Sequence, residues 1–305
     1  MTAGLFKRIM RAASRVVFVA AAALVLGACA AMTRPAGTGL PRASEPPKFA
    51  VLAASDERLG AALASWKTIV GEQNAASTAT PELEPVTATV KSLPANLPTQ
   101  PRMPLVRIND KSTKSDEETR ESLRRFMASA APLVGAGLQE LSLVGVVDAA
   151  GGAKTARYRQ NSFPYPLRNG FGEVEVTFTP DLRVVGLSST AIPDAERLRR
   201  ALAAVTQTLS ADKAAAALDN RTITFTDPSG AQRTHAVTQA ETKTAQRLVV
   251  FPVRRGGADP ATLELHVAWE VSVGVPTSMP LVVYVDAATG DVLAATVGMA
   301  VPAGV

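Results

Sequence analysis

The chain has 305 residues, with 32 Lys and Arg against 27 Asp and Glu, for a formal net charge of +5. Four of those positive charges, Lys7, Arg8, Arg11 and Arg15, sit at the N-terminus ahead of an apolar run, which leaves about +1 for the remainder. Near neutrality and an aromatic content of 5 % give no argument for nucleic acid binding, and the single cysteine, Cys29, excludes disulfides within the chain.

The basic residues lead into Val16 to Leu26, "VVFVAAAALVL". This apolar run has roughly the 7–15 residues of a signal-peptide core and falls short of the ~18 of a membrane span. "LGAC" follows, Leu26 to Cys29. It resembles the lipobox of bacterial lipoproteins, in which small residues fit the peptidase cleft and the cysteine sulfur takes the diacylglyceryl group. The resemblance implies a lipoprotein signal peptide over 1–28, lipid attachment at Cys29, and a chain tethered to the membrane by its acyl anchor. Ala30 stands where an Asp would favour the inner membrane, so the expected location is the outer membrane of a bacterial envelope, facing the periplasm.

Residues 29–101 are rich in Ala, Pro, Thr and Ser, which reads as a disordered tether. One segment interrupts it. "SDERLGAALASWKTIVGEQ" places Leu59, Leu63, Trp66 and Val70 at helical spacing behind a Ser55/Asp56 cap, a candidate short helix over 55–72 that either docks on the body or stays half-formed in solvent.

Two units follow, 102–192 and 193–298, and the expected fold class is α+β, each unit packing helix on an antiparallel sheet. In the first, Ser115 and Glu118 form a capping box ahead of a helix with Thr119, Leu123, Phe126, Met127 and Ala130 on one face, closed by Pro132. The strands "LQELSLVGVVDA" and "AKTARYRQNSF" join at Gly151–Gly152, and "GEVEVTFT" and "LRVVGLSST" join at Pro180–Asp181. In the second, Asp194 caps a helix through Leu198, Leu202, Val205 and Leu209, and Ser210 caps a shorter one. Strands then run through "RTITFTD", "THAVTQAET", "QRLVVFPV", "TLELHVAWEVSV" and "LVVYVDA". In the fourth, Leu263, Leu265, Val267, Trp269, Val271 and Val273 share a face, which leaves His266 with Glu264 and Glu270 on the other as solvated polar residues. The turn after Tyr284 has its own logic. Asp286 is placed to accept backbone hydrogen bonds, Thr289–Gly290 forms the bend, Gly290 supplies a positive φ, and Tyr284 is placed to pack with Trp269.

"RLVVFPVRRGGADPATLELHVAWEVSVGVPTSMPLVVYVDAATGDVLAA" resembles the PepSY domain of secreted thermolysin-like metalloprotease propeptides: a strand ending in Phe-Pro, the Val267–Glu270 centre, then the Tyr284–Gly290 turn. "ESLRRFMASAAPLVG", "ARYRQ" and "GEVEVTFTPDLRVVGLSS" are similar to its partner module, the fungalysin/thermolysin propeptide motif. Together they cover about Leu105 to Ala295. After Gln160 that family tends to show Tyr-x-Gly-aliphatic-Pro, where this chain has "NSFPYPLRNG".

A thermolysin-like protease carries His-Glu-x-x-His for its zinc; this sequence has two histidines, His235 and His266, and no such motif. It also lacks a nucleophile elbow and a phosphate-binding loop. No catalytic residue, cofactor or metal is therefore expected. The resemblance implies a non-catalytic lipoprotein that binds, and inhibits or chaperones, a secreted or periplasmic metalloprotease in trans. The alternative is a binding or assembly lipoprotein with no protease partner. The last residues, 299–305, read as a tail, and Val297, Met299, Val301 and Val305 are its candidate partner-binding side chains.

Overall fold

The computed structural model describes residues 47–71, 79–107, 115–256, 261–274 and 280–297. In chain order the elements are β1 (Ala50–Ala53), α1 (Asp56–Val70), β2 (Glu82–Leu83), β3 (Val90–Ser92), α2 (Asp116–Ser129), α3 (Ala131–Val134), β4 (Leu141–Asp148), β5 (Lys154–Gln160), β6 (Glu173–Phe178) and β7 (Val184–Ser189). Then come α4 (Ala195–Ala203), α5 (Ala211–Ala216), β8 (Thr222–Thr226), β9 (Gln232–Ala236), β10 (Thr242–Arg255), β11 (Thr262–Gly274), β12 (Leu281–Asp286) and β13 (Val292–Val297). The fold is mixed α+β, dominated by sheet. Cys29 and the tail residues Met299, Val301 and Val305 lie outside the described residues.

β4 to β7 form an antiparallel meander in chain order. Alternation decides its faces. Ala156, Tyr158, Val174, Val176 and Phe178 point to the side covered by Leu123, Phe126 and Met127 of α2, with Trp66 of α1 in the same cluster. The opposite face is polar, with Arg157 paired to Glu175 and Thr155 to Thr177. The capping box at Ser115 and Glu118 starts α2 as its sequence indicates.

The second sheet has seven strands in the order β1-β11-β12-β13-β8-β9, with β10 on the other side of β11. The long β10–β11 hairpin is its spine. β12 pairs only with the C-terminal half of β11, Ala268 to Val273. β1 takes up the other half, opposite Thr262 to Leu265. Leu198 and Leu202 of α4 pack on the odd residues of β11 together with Leu52, and Ala214 of α5 packs further along, near Val271 and Val273.

Three expectations need correction. The tether reading fails from Pro47 onward: β1 is hydrogen-bonded into the sheet with Ala50 and Leu52 buried, and α1 closes the first cluster. Composition cannot reveal such a strand, because "AVLA" is strand-like only beside the vacant half of β11. The helix expected at 55–72 forms, capped by Ser55, but it buries Ala62, Ser65 and Trp66 while Leu59 stays exposed. Asp194 does occupy the N-cap position of α4, but with φ +57° and no side-chain cap. Its carboxylate instead receives Arg58 Nη1 of α1 at 3.0 Å. Among the described residues no helix is long and apolar enough to cross a membrane.

Candidate functional site

The turn that closes β12 begins the site. Asp286 Oδ1 accepts from the backbone N–H of Ala288 at 2.7 Å and of Thr289 at 3.0 Å. Gly290 N–H donates to the Asp286 carbonyl at 2.9 Å, and Gly290 has φ +79°. Thr289 Oγ1 accepts from Asp291 N–H at 3.3 Å. A Cβ at Gly290 would stand 3.4 Å from Leu209 Cδ2. Gly290→Val is therefore expected to lower stability by about 1–3 kcal/mol, mainly from the strained φ. A urea midpoint equal to that of the parent protein would show that Gly290 does not hold this conformation.

The other carboxylate oxygen of Asp286 faces inward. His266 Nδ1 donates to Oδ2 at 2.6 Å, and His266 Nε2 lies 3.3 Å from Glu264 Oε2. Glu264 in turn receives Arg255 Nε at 2.8 Å. The Phe49 ring lies over the imidazole, centroids 4.8 Å apart. His266 is 4 % exposed and Asp286 1 %. This corrects the solvated-face reading of β11. The even face is a second core layer, in which Ala268, Val249, Phe251 and Tyr284 pack together. The Tyr284 ring rests on Phe251, centroids 4.6 Å apart. Trp269 lies on the opposite face and its Nε1 donates to the Leu209 carbonyl, so it does not pair with Tyr284. Both ring nitrogens of His266 thus face carboxylate oxygens.

Glu270, 5 % exposed, anchors the next part. Its Oε2 receives Arg168 Nε at 2.7 Å and its Oε1 receives Arg247 Nη2 at 3.1 Å. Burial, reinforced by the Glu270 charge, raises the Tyr284 phenol above its ordinary range. Arg168 belongs to the loop "NSFPYPLRNG", the stretch that departs from the propeptide pattern. The loop adds itself to the free side of β10. Val250 N–H donates to the Pro166 carbonyl at 3.0 Å, Arg168 N–H to the Val250 carbonyl at 3.1 Å, and Asn169 Nδ2 to the Pro252 carbonyl at 2.8 Å. Arg254 lies over the Phe171 ring at 4.8 Å.

With the loop held this way, a cleft of about 640 Å³ opens between it and the start of the first sheet. Phe163, Tyr165 and Leu167 line one wall, and Leu143, Val144 and Arg159 the other. A second hollow of about 540 Å³ lies between the loop and Leu202 and Arg199 of α4. Two loop polar groups are committed, Asn161 Nδ2 donating to Ser142 Oγ at 2.6 Å and the Tyr165 hydroxyl accepting from Gln207 Nε2 at 3.2 Å, whereas the buried Ser162 Oγ has no hydrogen-bond partner among the described residues. The cleft is a recess of mixed character, with Phe163, Tyr165 and Leu167 beside Arg159, Arg168 and Glu173. Among the described residues no group of His, Cys, Asp and Glu is arranged to hold a metal ion.

Sequence reasoning singled out Tyr284, Asp286, Thr289 and Gly290; the structure joins Asp286, Thr289 and Gly290 in one turn and places Tyr284 within β12 against Phe251. It separates Val297, the last residue of β13, which sits opposite Leu281 in the sheet rather than in a tail. Sequence reasoning missed Arg168 and the cleft. The available signal was Glu270, an acid at the centre of an apolar strand. No protein-family model matches the chain, and no curated protein matches it either.

Proposed function

We propose that this protein is a non-catalytic lipoprotein of the bacterial envelope, anchored through Cys29, that binds a metalloprotease in trans and inhibits it or assists its folding. In this reading the two sheets with their helices are a propeptide-like pair: α2 on the β4–β7 meander, and α4 and α5 on the seven-stranded sheet. The observation that supports it most is the use of the Asp286 turn and the β11 strand centre. Asp286, His266, Glu264, Glu270, Arg168 and Arg247 spend their polar groups on one another. They hold the 161–171 loop and the cleft beside it in place, a structural use of polar groups that supports a binding role.

The test has two arms. The purified full chain is titrated into thermolysin, and into metalloproteases extracted from the same envelope, against a fluorogenic peptide substrate. The expected result is saturable, stoichiometric inhibition or retention of at least one metalloprotease, with a serine protease unaffected. Failure to inhibit or retain any metalloprotease would leave an assembly lipoprotein as the better reading. In cells, Cys29→Ser is expected to abolish labelled fatty acid incorporation and to move the protein from the membrane to the soluble fraction.

A further inference from the structure

β4 is an edge strand. It pairs with β5 on one side and, among the described residues, with no strand on the other. Its sequence, "LSLVGVVD", carries no charge before Asp148. Leu143, Val144, Val146 and Val147 all stand exposed, Val144 by 65 %. Sheet edges are commonly guarded by lysine, proline, a bulge or a covering segment, because an unpaired edge templates another strand. Here the register slips between Leu143 and Gly145, a local bulge, and Val144 is the residue it leaves unpaired. Beyond that slip, the exposed edge is aliphatic.

A groove lies on each face of this edge. On the helix side a groove of about 450 Å³ is lined by Leu143, Val144 and Val146, and by Asp116, Arg120 and Lys154. The cleft beside the 161–171 loop reaches Ser142, Arg159 and Glu173, which belong to the other side, and shares Leu143 and Val144 with the first groove. An added strand uses this arrangement: its main chain bonds to the edge while its side chains alternate between the two faces.

Charge selects among occupants. Arg157 and Arg159 on the neighbouring strand are paired with Glu175 and Glu173. Arg120 and Lys154, on the wall of the helix-side groove, make no ion pair among the described residues. Asp116 offsets one of them, which leaves the groove net positive above an apolar floor. A second copy of β4 is uncharged along its length until Asp148 and offers these cations little. We propose that β4 is a docking edge for an extended polypeptide segment of a partner, with a branched apolar side chain in the α2–β4 groove and an Asp or Glu side chain at Arg120 and Lys154. The proposal holds whether or not the partner is a protease.

The probe is a fluorescein-labelled octapeptide that alternates valine with threonine and one glutamate, read by anisotropy against the full chain. Saturable binding is expected. Val144→Lys is expected to weaken it at least about tenfold by putting a charge on the edge. Arg120→Glu with Lys154→Glu is expected to weaken it about tenfold, and to prefer the peptide carrying lysine in place of glutamate. These three positions are on the surface, so unchanged thermal unfolding serves as the folding control. The proposal is overturned if no peptide binds saturably. It is also overturned if binding ignores Val144→Lys and the charge exchange. Sedimentation supplies the last outcome: a dimer of the parent chain that Val144→Lys dissociates would give the edge to a second copy instead.

Discussion

Asp286→Ala is expected to lower unfolding stability by about 3–5 kcal/mol, among the largest losses of any single substitution in the chain. One carboxylate serves three donors. Oδ1 holds the N–H groups of Ala288 and Thr289, and Oδ2 holds His266 Nδ1. Alanine removes all three acceptors at a site that is 1 % exposed, where water cannot replace them without opening the sheet. His266 would then be left buried beside Glu264, beneath Phe49, with its Nδ1 unsatisfied. Asp286→Asn separates the two halves of the effect. Its carbonyl oxygen keeps the turn bonds, but its amide presents N–H where His266 donates, so a smaller loss of about 1–2 kcal/mol is expected. Urea midpoints for both variants, with unchanged slopes, check the ranking. An alanine variant as stable as the asparagine variant would show that the turn bonds contribute nothing.

The contrast between the two faces of β11 explains what the sequence could disclose. Alternation along "LELHVAWEVSV" placed the odd residues on one face, and Leu263, Leu265, Val267, Val271 and Val273 are indeed buried together by α4, α5 and their neighbours. Alternation also suggested that the even face is wet, and there it misled. A strand with a polar residue at every second position looks half-exposed whether those residues meet solvent or one another. His266 and Glu270 meet partners brought from far along the chain: Asp286, Phe49 and Arg168. Only the turn chemistry of Asp286 and Gly290 is local, and it was accordingly legible. The burial of β1 depends on the half of β11 that β12 leaves free, and no property of "AVLA" encodes that. The cleft was hidden for a similar reason, since the Pro-rich loop that lines it takes its shape from main-chain bonds to Val250 rather than from its own composition.

Glu270→Ala is expected to cost about 3 kcal/mol and, beyond that, to release the loop that forms the cleft. Glu270 holds two guanidinium groups, and they differ in what happens when it is removed. Arg247 has a side chain 54 % exposed and turns to water at little cost. Arg168 is 22 % exposed and sits in the loop, so it becomes a charge that must leave its half-buried position. Moving it pulls on the main-chain bonds that Pro166 and Arg168 make with Val250. Amide hydrogen exchange over 163–171 is therefore expected to accelerate more than exchange in the β4–β7 meander. The double variant Glu270→Met with Arg168→Met tells stability from positioning. An apolar pair of similar volume removes the buried charges together, and should recover most of the lost stability. It does not restore the directed bond from Nε to Oε2, so loop exchange should stay fast. Because the loop supplies the Phe163, Tyr165 and Leu167 wall beside Leu143 and Val144, octapeptide binding at β4 should weaken in both variants although the β4 edge itself is intact. Unaltered exchange over 163–171 in Glu270→Ala would instead mean that the Val250 bonds alone hold the loop, and that the acid at the centre of β11 serves only its own sheet.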